Sequence, residues 1–312
     1  MRASPLPDPV LVTGAGGQLG RALLATAPEG VAVRGLTRAA LDICDEGALA
    51  DCLDRDRPQL LINAAAYTAV DRAEDEPAAA RRVNTDAPRL MARLCAERGI
   101  RLLHVSTDFV FDGEQGHPYA PDAPARPLGV YGASKLAGET ALREAGGNTL
   151  IVRTGWVYSA GSGNFLNTML RLHSERDELR VVADQVGTPT AALSLARALW
   201  AAAARPALAG VYHYSDAGVC SWYDFAVAIG EEAQAAGLLA APARVLPITT
   251  ADYPTPARRP AFSVLDKTAT WRDFDLEPRH WRAWLRATVA DIAAPEPASS
   301  DEEQATETGA HG

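Results

Sequence analysis

The sequence predicts an α/β fold, a doubly wound parallel sheet with a smaller substrate-binding region following it, and three observations predict it. Short buried apolar runs alternate with amphipathic stretches through the first 155 residues, the rhythm of strands joined by crossover helices. A glycine-rich loop, Thr13-Gly14-Ala15-Gly16-Gly17-Gln18-Leu19-Gly20, joins the first apolar run to the first periodic stretch. The chain has 312 residues, 47% of them hydrophobic, enough to bury a large core without disulfide or metal staples.

In chain order, residues 10–13 form the first strand and 19–27 the first helix. Further strands follow at 31–36, 60–63, 102–106 and 150–153, with helices at 46–55, around 76–98 and at 131–145. Beyond residue 155 the alternation breaks. Helices at 193–204 and 222–236 are separated by loops rich in Pro and Gly, and Trp271, Trp281 and Trp284 gather near the end. The expected organisation is a nucleotide-binding domain over 1–155, with segments near 180–205 and 243–250 returning to it. Residues 156–290 form most of a substrate-binding region, and 293–312 a disordered acidic tail too poor in apolar residues to bury a core.

Charge and composition exclude several function classes. Residues 291–312 carry six carboxylates and no Lys or Arg, so the net charge of −9 falls to −3 for residues 1–290. A nearly neutral body argues against a nucleic-acid or anionic-membrane partner. Cys44, Cys52, Cys95 and Cys220 show no CxxC pair and no metal-ligand spacing, and read as small buried hydrophobes in a reducing compartment. The four-residue apolar run near the N-terminus is too short for a secretory signal, and no run of 18 apolar residues occurs, so a cytoplasmic protein is expected.

The glycine loop follows a strand and opens a helix, the context that lets backbone approach a pyrophosphate held at a helix N-terminus. The alternative is an ordinary strand-to-helix turn. Asn63-Ala64-Ala65-Ala66 ends a strand on the same side, where small side chains admit a ring system or simply pack tightly. Tyr131-Gly132-Ala133-Ser134-Lys135 places a phenol and an ammonium four residues apart on one helix face. Alone, such a pair is a solvated helix surface; with Ser106-Thr107-Asp108 at a strand end it becomes a proton-transfer group. Bringing a tyrosine from about 10 to near 7 needs about 4 kcal/mol. A lysine charge about 5 Å away, at an effective dielectric of about 20, supplies roughly 3 kcal/mol.

Longer strings carry a more specific signal: LVTGAGGQLG, INAAAYTAVDRAE, VSTDFVFDG, VYGASKLAGE, RTGWVYSAGSGNFLNTML, DQVGTPT, GVYHYSDAGVCSWYDFA and YPTPARRPAFSVLDK. Together they resemble the dTDP-4-dehydrorhamnose reductases of the extended short-chain dehydrogenase/reductase superfamily, with its Rossmann-like sheet, over residues 10–290. The resemblance implies reduction of the C4 keto group of dTDP-4-dehydro-L-rhamnose, the last step of dTDP-L-rhamnose synthesis. It implies Thr107, Tyr131 and Lys135 as the catalytic set. Cofactor contacts are implied at Gly14, Gly16, Gly17, Gln18, Leu19, Gly20, Arg38, Asp42, Ile43, Ala65, Ala66 and Tyr67, besides Tyr131 and Lys135. Substrate contacts are implied at Thr107, Asp108, Trp156, Asn164, Phe165 and Arg259, the indole of Trp156 lying flat against the deoxy sugar. For Arg259 and its neighbour Arg258 a structural salt bridge is the alternative.

Some reductases that the sequence resembles dimerise through magnesium held by acidic side chains, one of them after the GxPT string. Here residues 191–196 read AALSLA, so no metal is expected and the protein is a monomer or a metal-free homodimer. After the second strand the chain offers Arg34 and Arg38 and no acid, which favours the 2′-phosphate of NADPH. Asp42, in a string the resemblance places near adenine, leaves NADH possible. The alternatives are a reductase of another dTDP-4-keto-6-deoxyhexose, an epimerase or dehydratase on the same scaffold, or a non-catalytic regulatory subunit. Phe109 after Asp108, where dehydratases add a second acid, counts against a dehydratase.

Overall fold

The apolar strand runs alternate their side chains between two faces, and each face finds its own cover. In this computed structural model, which describes residues 5–161 and 163–294, the N-terminal elements are β1 (Val10–Thr13), α1 (Gln18–Ala25), β2 (Val33–Leu36), α2 (Glu46–Asp56), β3 (Leu60–Asn63), α3 (Val70–Asp75), α4 (Pro77–Arg81), α5 (Ala87–Glu97), β4 (Arg101–Thr107), α6 (Val130–Glu144) and β5 (Thr149–Thr154). There follow β6 (Val157–Tyr158), α7 (Phe165–Glu175), β7 (Glu178–Val182), β8 (Val186–Gly187), β9 (Thr190–Ala191), α8 (Ala192–Ala203), β10 (Gly210–His213), β11 (Cys220–Ser221), α9 (Trp222–Ala235), β12 (Arg244–Ile248), α10 (Thr268–Phe274) and α11 (Trp281–Ala293).

Six strands form one parallel sheet in the order β10-β5-β4-β3-β1-β2. Val10, Val12, Leu60, Ile62, Leu103, Leu150 and Val152 pack against α1 and α8 on one face. Leu11, Leu61, Leu102 and Ile151 pack against α2 and α5 on the other. That period of two with both faces buried is why the strands read as unbroken apolar runs. The order reverses between β1 and β3, and a sheet of this kind opens a crevice beyond the strand ends there.

The expected helix around 76–98 is broken, for a covalent reason. Pro88 has no N–H to give the carbonyl of Asn84, four residues earlier, and residues Arg82–Asp86 form a π-helical turn between α4 and α5. Asn84 then bridges elements: its side chain accepts from Tyr67 N at 2.8 Å and donates to Ser134 Oγ at 3.0 Å.

Two expectations about chain organisation are corrected. Residues 243–250 do not return to the large sheet; β12 pairs with β7 in a separate two-stranded sheet. The late strand that does return is β10, which pairs with β5. Its Val211 and Tyr212 are only half-buried, so the segment lacks the unbroken buried run that marks the central strands. Within 180–205, α8 packs on the sheet while β7, β8 and β9 lie outside it. A second core, including Tyr158, Leu166, Phe225, Ile229, Trp281 and Leu285, holds α7, α9 and α11 together. Cys52, Cys95 and Cys220 are buried and Cys44 half-buried, all as free thiols. Among the described residues no helix is long and apolar enough to cross a membrane. The acidic tail from residue 295 onward lies outside the described residues.

Candidate active site

A cavity of about 1010 Å³ opens beyond the C-terminal ends of β1, β3, β4 and β5. Its first wall is the glycine loop. Gly14 has φ +71°, and a Cβ there would fall 2.6 Å from Ala65 N, so only glycine lets β1 and β3 leave the sheet this close together. A Cβ on Gly20 would fall 2.2 Å from Gly14 O, which fixes how tightly α1 seats on the loop. Gly17, the N-cap of α1, brings no capping side chain, so among the described residues no side chain caps the first N–H groups of the helix beside Gly16. These features fit a dinucleotide pyrophosphate. Gly14, Gly16, Gly17, Gln18, Leu19, Arg38, Asp42, Ile43, Ala65, Ala66 and Tyr67 line the cavity; Gly20 lies behind it, shaping the loop.

The two arginines expected near the cofactor ribose separate. Arg34 turns away to Asp56, at 2.5 Å, because it lies inside β2 with its side chain toward α2. Arg38, past the strand end, reaches the cavity. Asp42 also lines it, but Arg82 from the π-helical turn pairs with its carboxylate at 3.2 Å. The backbone N–H of Cys44 and the guanidinium of Arg82 hold that carboxyl below its ordinary range. Asp42 is thereby matched by a cation that sequence reasoning overlooked.

On the opposite wall stand Thr107, Asp108, Tyr131 and Lys135. Thr107 ends β4; its hydroxyl accepts from Phe109 N at 3.2 Å and donates to Asp108 Oδ1 at 3.2 Å. Asp108 is buried, and desolvation pushes its carboxyl up to about 6. Tyr131, in the first turn of α6, packs edge-on against Phe109 with centroids 5.6 Å apart. Burial pushes its phenol up to about 12, with the Thr107 hydroxyl favouring the charged form and Asp108 opposing it. Lys135 is also buried, and desolvation brings it down to about 8, opposed by Glu139.

Lys135 is expected from the sequence to lower the phenol toward a pKa of about 7, and in the ligand-free structure it does not. Lys135 Nζ lies 2.7 Å from the Val105 carbonyl and 3.2 Å from His104 Nε2, drawn under β4. Desolvation wins at Tyr131, which therefore stays protonated as a proton donor must. Glu139, one turn beyond Lys135, accepts from Ser106 Oγ at 2.5 Å and forms a buried bridge with Arg153 at 2.7 Å, locking α6 to β4 and β5.

The third wall comes from the substrate-binding region. Trp156 sits at φ +53°, a conformation non-glycine residues rarely adopt, and stacks on Trp222 with centroids 3.4 Å and planes 3° apart. One face of the indole expected to meet a sugar is therefore taken by Trp222. Gly187 presses on the same ring, where a Cβ would come within 2.6 Å. Phe165 packs on Trp222 at 4.6 Å. Asn164 caps α7 by accepting from Asn167 N at 3.1 Å, while its amide donates to Gln18 Oε1 at 2.9 Å, so it ties this wall to the glycine loop. Arg259 reaches the cavity and also forms the ion pair posed as its alternative, with Asp71 at 2.8 Å. Its Nε has no partner among the described residues.

Comparison with known proteins now bears on this site. The RmlD substrate binding domain family matches residues 8–294. The chain belongs to that family. It is 43% identical over 293 residues to a dTDP-4-dehydrorhamnose reductase of Burkholderia thailandensis, covering 91% of this chain and 98% of that one. It is 46% identical over 291 residues to another from Streptomyces griseus, covering 90% and 93%. A dTDP-4-dehydrorhamnose reductase from Bacillus anthracis, crystallised with NADP, superposes with a TM-score of 0.86 at 34% identity, over 91% of this chain and 99% of that one.

Sequence reasoning missed Trp222, Arg82 and His104. A histidine set in a buried apolar run, LLHV of β4, is the one of the three that carries a local signal.

Proposed function

We propose that this protein reduces the C4 keto group of dTDP-4-dehydro-L-rhamnose to dTDP-L-rhamnose, using NADPH in preference to NADH, in the cytoplasm. The observation that carries the reading is one cavity shared by the glycine loop, the Thr107–Tyr131–Lys135 group and Arg259. The nicotinamide, when bound, supplies the hydride. Tyr131, which burial keeps protonated, gives its proton to the C4 oxygen as a general acid. Thr107, fixed at the strand end by the N–H of Phe109, positions the same oxygen by turning to it the O–H that Asp108 accepts in the ligand-free chain. Lys135 holds the nicotinamide ribose beside the phenol. Arg259, steadied by Asp71, takes the diphosphate of the sugar nucleotide through its remaining donors. Arg38 takes the 2′-phosphate. The Trp156–Trp222 stack bounds the sugar.

The test is purified protein with NADPH and enzymatically prepared dTDP-4-dehydro-L-rhamnose, following loss of NADPH absorbance and identifying the product. Formation of dTDP-L-rhamnose is expected. Turnover only with a different dTDP-4-keto-6-deoxyhexose reassigns the sugar, and binding without turnover refutes catalysis.

A further inference from the structure

The chain contains only two lysines, Lys135 and Lys267, among thirty Lys and Arg residues. Lys135 faces a histidine that none of the preceding roles uses. His104 is fully buried in β4, with Nε2 3.2 Å from Lys135 Nζ and Nδ1 2.9 Å from Asn63 Nδ2. The amide of Asn63 is oriented by two donors, Thr13 Oγ1 at 2.7 Å and Ala65 N at 3.1 Å, both given to Oδ1. Asn63 therefore presents N–H to His104 Nδ1, which must accept, and a neutral imidazole accepting at Nδ1 carries its proton on Nε2. Burial keeps the ring neutral. An Nε2–H facing Nζ is matched by an amine lone pair and mismatched by an ammonium.

We propose that His104 is a positioning residue for Lys135: its Nε2–H, held in that tautomer by Asn63, faces Nζ on the Val105 carbonyl and biases the lysine toward its amine form in the ligand-free protein. Among the described residues Glu139 on its own helix, already bridged to Arg153 of β5, also acts on Lys135, and Tyr131 stands one turn earlier on α6. Glu139 opposes the effect of burial, and burial prevails. The proposal rests on the reading of Lys135 as the residue that holds the ribose. On that reading the lysine leaves this seat when a nucleotide binds, and holds its proton more tightly there.

Because there are only two lysines, the protonation of Lys135 can be read directly. Protein labelled with ¹³C and ¹⁵N in lysine and histidine gives two Nζ/Cε signals, assigned with Lys267→Arg. In the ligand-free wild type, Lys135 is expected to titrate about two pH units below an ordinary lysine, which lies near 10.4. His104 is expected to show a protonated Nε2 and a bare Nδ1. His104→Gln can turn an amide oxygen toward Nζ, and raises the Lys135 midpoint by about one pH unit, the worth of one hydrogen bond. A wild-type midpoint near 10.4, or a histidine protonated on Nδ1, overturns the proposal without any variant having to fold. A His104→Gln midpoint equal to wild type overturns it also. Lys135→Met separates the two levels: full turnover and unchanged NADP⁺ affinity in that variant refute the ribose-holding role, whatever the titration shows.

Discussion

Tyr131→Phe removes one oxygen from the centre of the site and leaves the rest in place. The ring keeps its edge contact with Phe109, and its burial beside Ala73 and Ala80 is unchanged. The lost hydroxyl is already desolvated, as its rise to about 12 records, so deleting it costs stability about 1 kcal/mol or less. For a chain of this size that is a shift in Tm of about 2–4 °C at most. Catalysis loses far more. At pH 7 a phenol near 12 is protonated in essentially every molecule, so the whole general-acid contribution is at stake. That contribution is about 100- to 10,000-fold in kcat, or about 3–5 kcal/mol of barrier. The assay is steady-state turnover with NADPH and the keto sugar nucleotide, beside NADPH affinity by fluorescence titration and a thermal melt. Affinity and melting are expected to hold while kcat collapses. Retention of more than about a tenth of wild-type turnover refutes the assignment of Tyr131. A fall in kcat matched by an equal fall in NADPH affinity assigns the ring to packing instead.

Three further outcomes are expected. Arg259→Ala raises KM for the sugar nucleotide about tenfold, the worth of a charge-assisted contact, and leaves KM for NADPH nearly unchanged; an equal rise for both ligands reduces Arg259 to its bridge with Asp71. Arg38→Ala brings the ratio of kcat/KM for NADPH over NADH from about ten toward one, whereas an unchanged ratio removes Arg38 from the 2′-phosphate. Burial holds Lys135 at about 8 against an ordinary 10.5, so charging it in the fold costs about 3 kcal/mol. The folded chain releases that proton before the unfolded one does, so this residue's contribution to stability rises from pH 8 to 10.5. Urea unfolding of wild type and Lys135→Met should diverge by about 3 kcal/mol in favour of wild type between pH 7 and 10, and parallel curves contradict the buried charge.

Much of the site was legible because it hangs on local geometry. The glycine loop must follow β1 and open α1, and both positions are fixed by a short apolar run and the helix period after it. Tyr131 and Lys135 share a face because a helix repeats every 3.6 residues. Arg259 and Asn164 were found as members of strings, yet their partners, Asp71 at 188 residues' distance and Gln18 at 146, leave no trace in local periodicity.

The sequence by itself determined the order of strands and helices through residue 155, the loop that suits a phosphate, and the pairing of phenol and amine, since each depends on contacts between residues near in the chain. Only the tertiary structure decided which late segment joins the sheet, that Arg34 leaves the cofactor corner while Arg82 enters it, and that Trp222 covers one face of Trp156. It also decided the ionisation of the site. Desolvation belongs to what surrounds a group on every side: Phe109, Ala73 and Ala80 around Tyr131, and around Lys135 the His104 ring and Val105 carbonyl of β4.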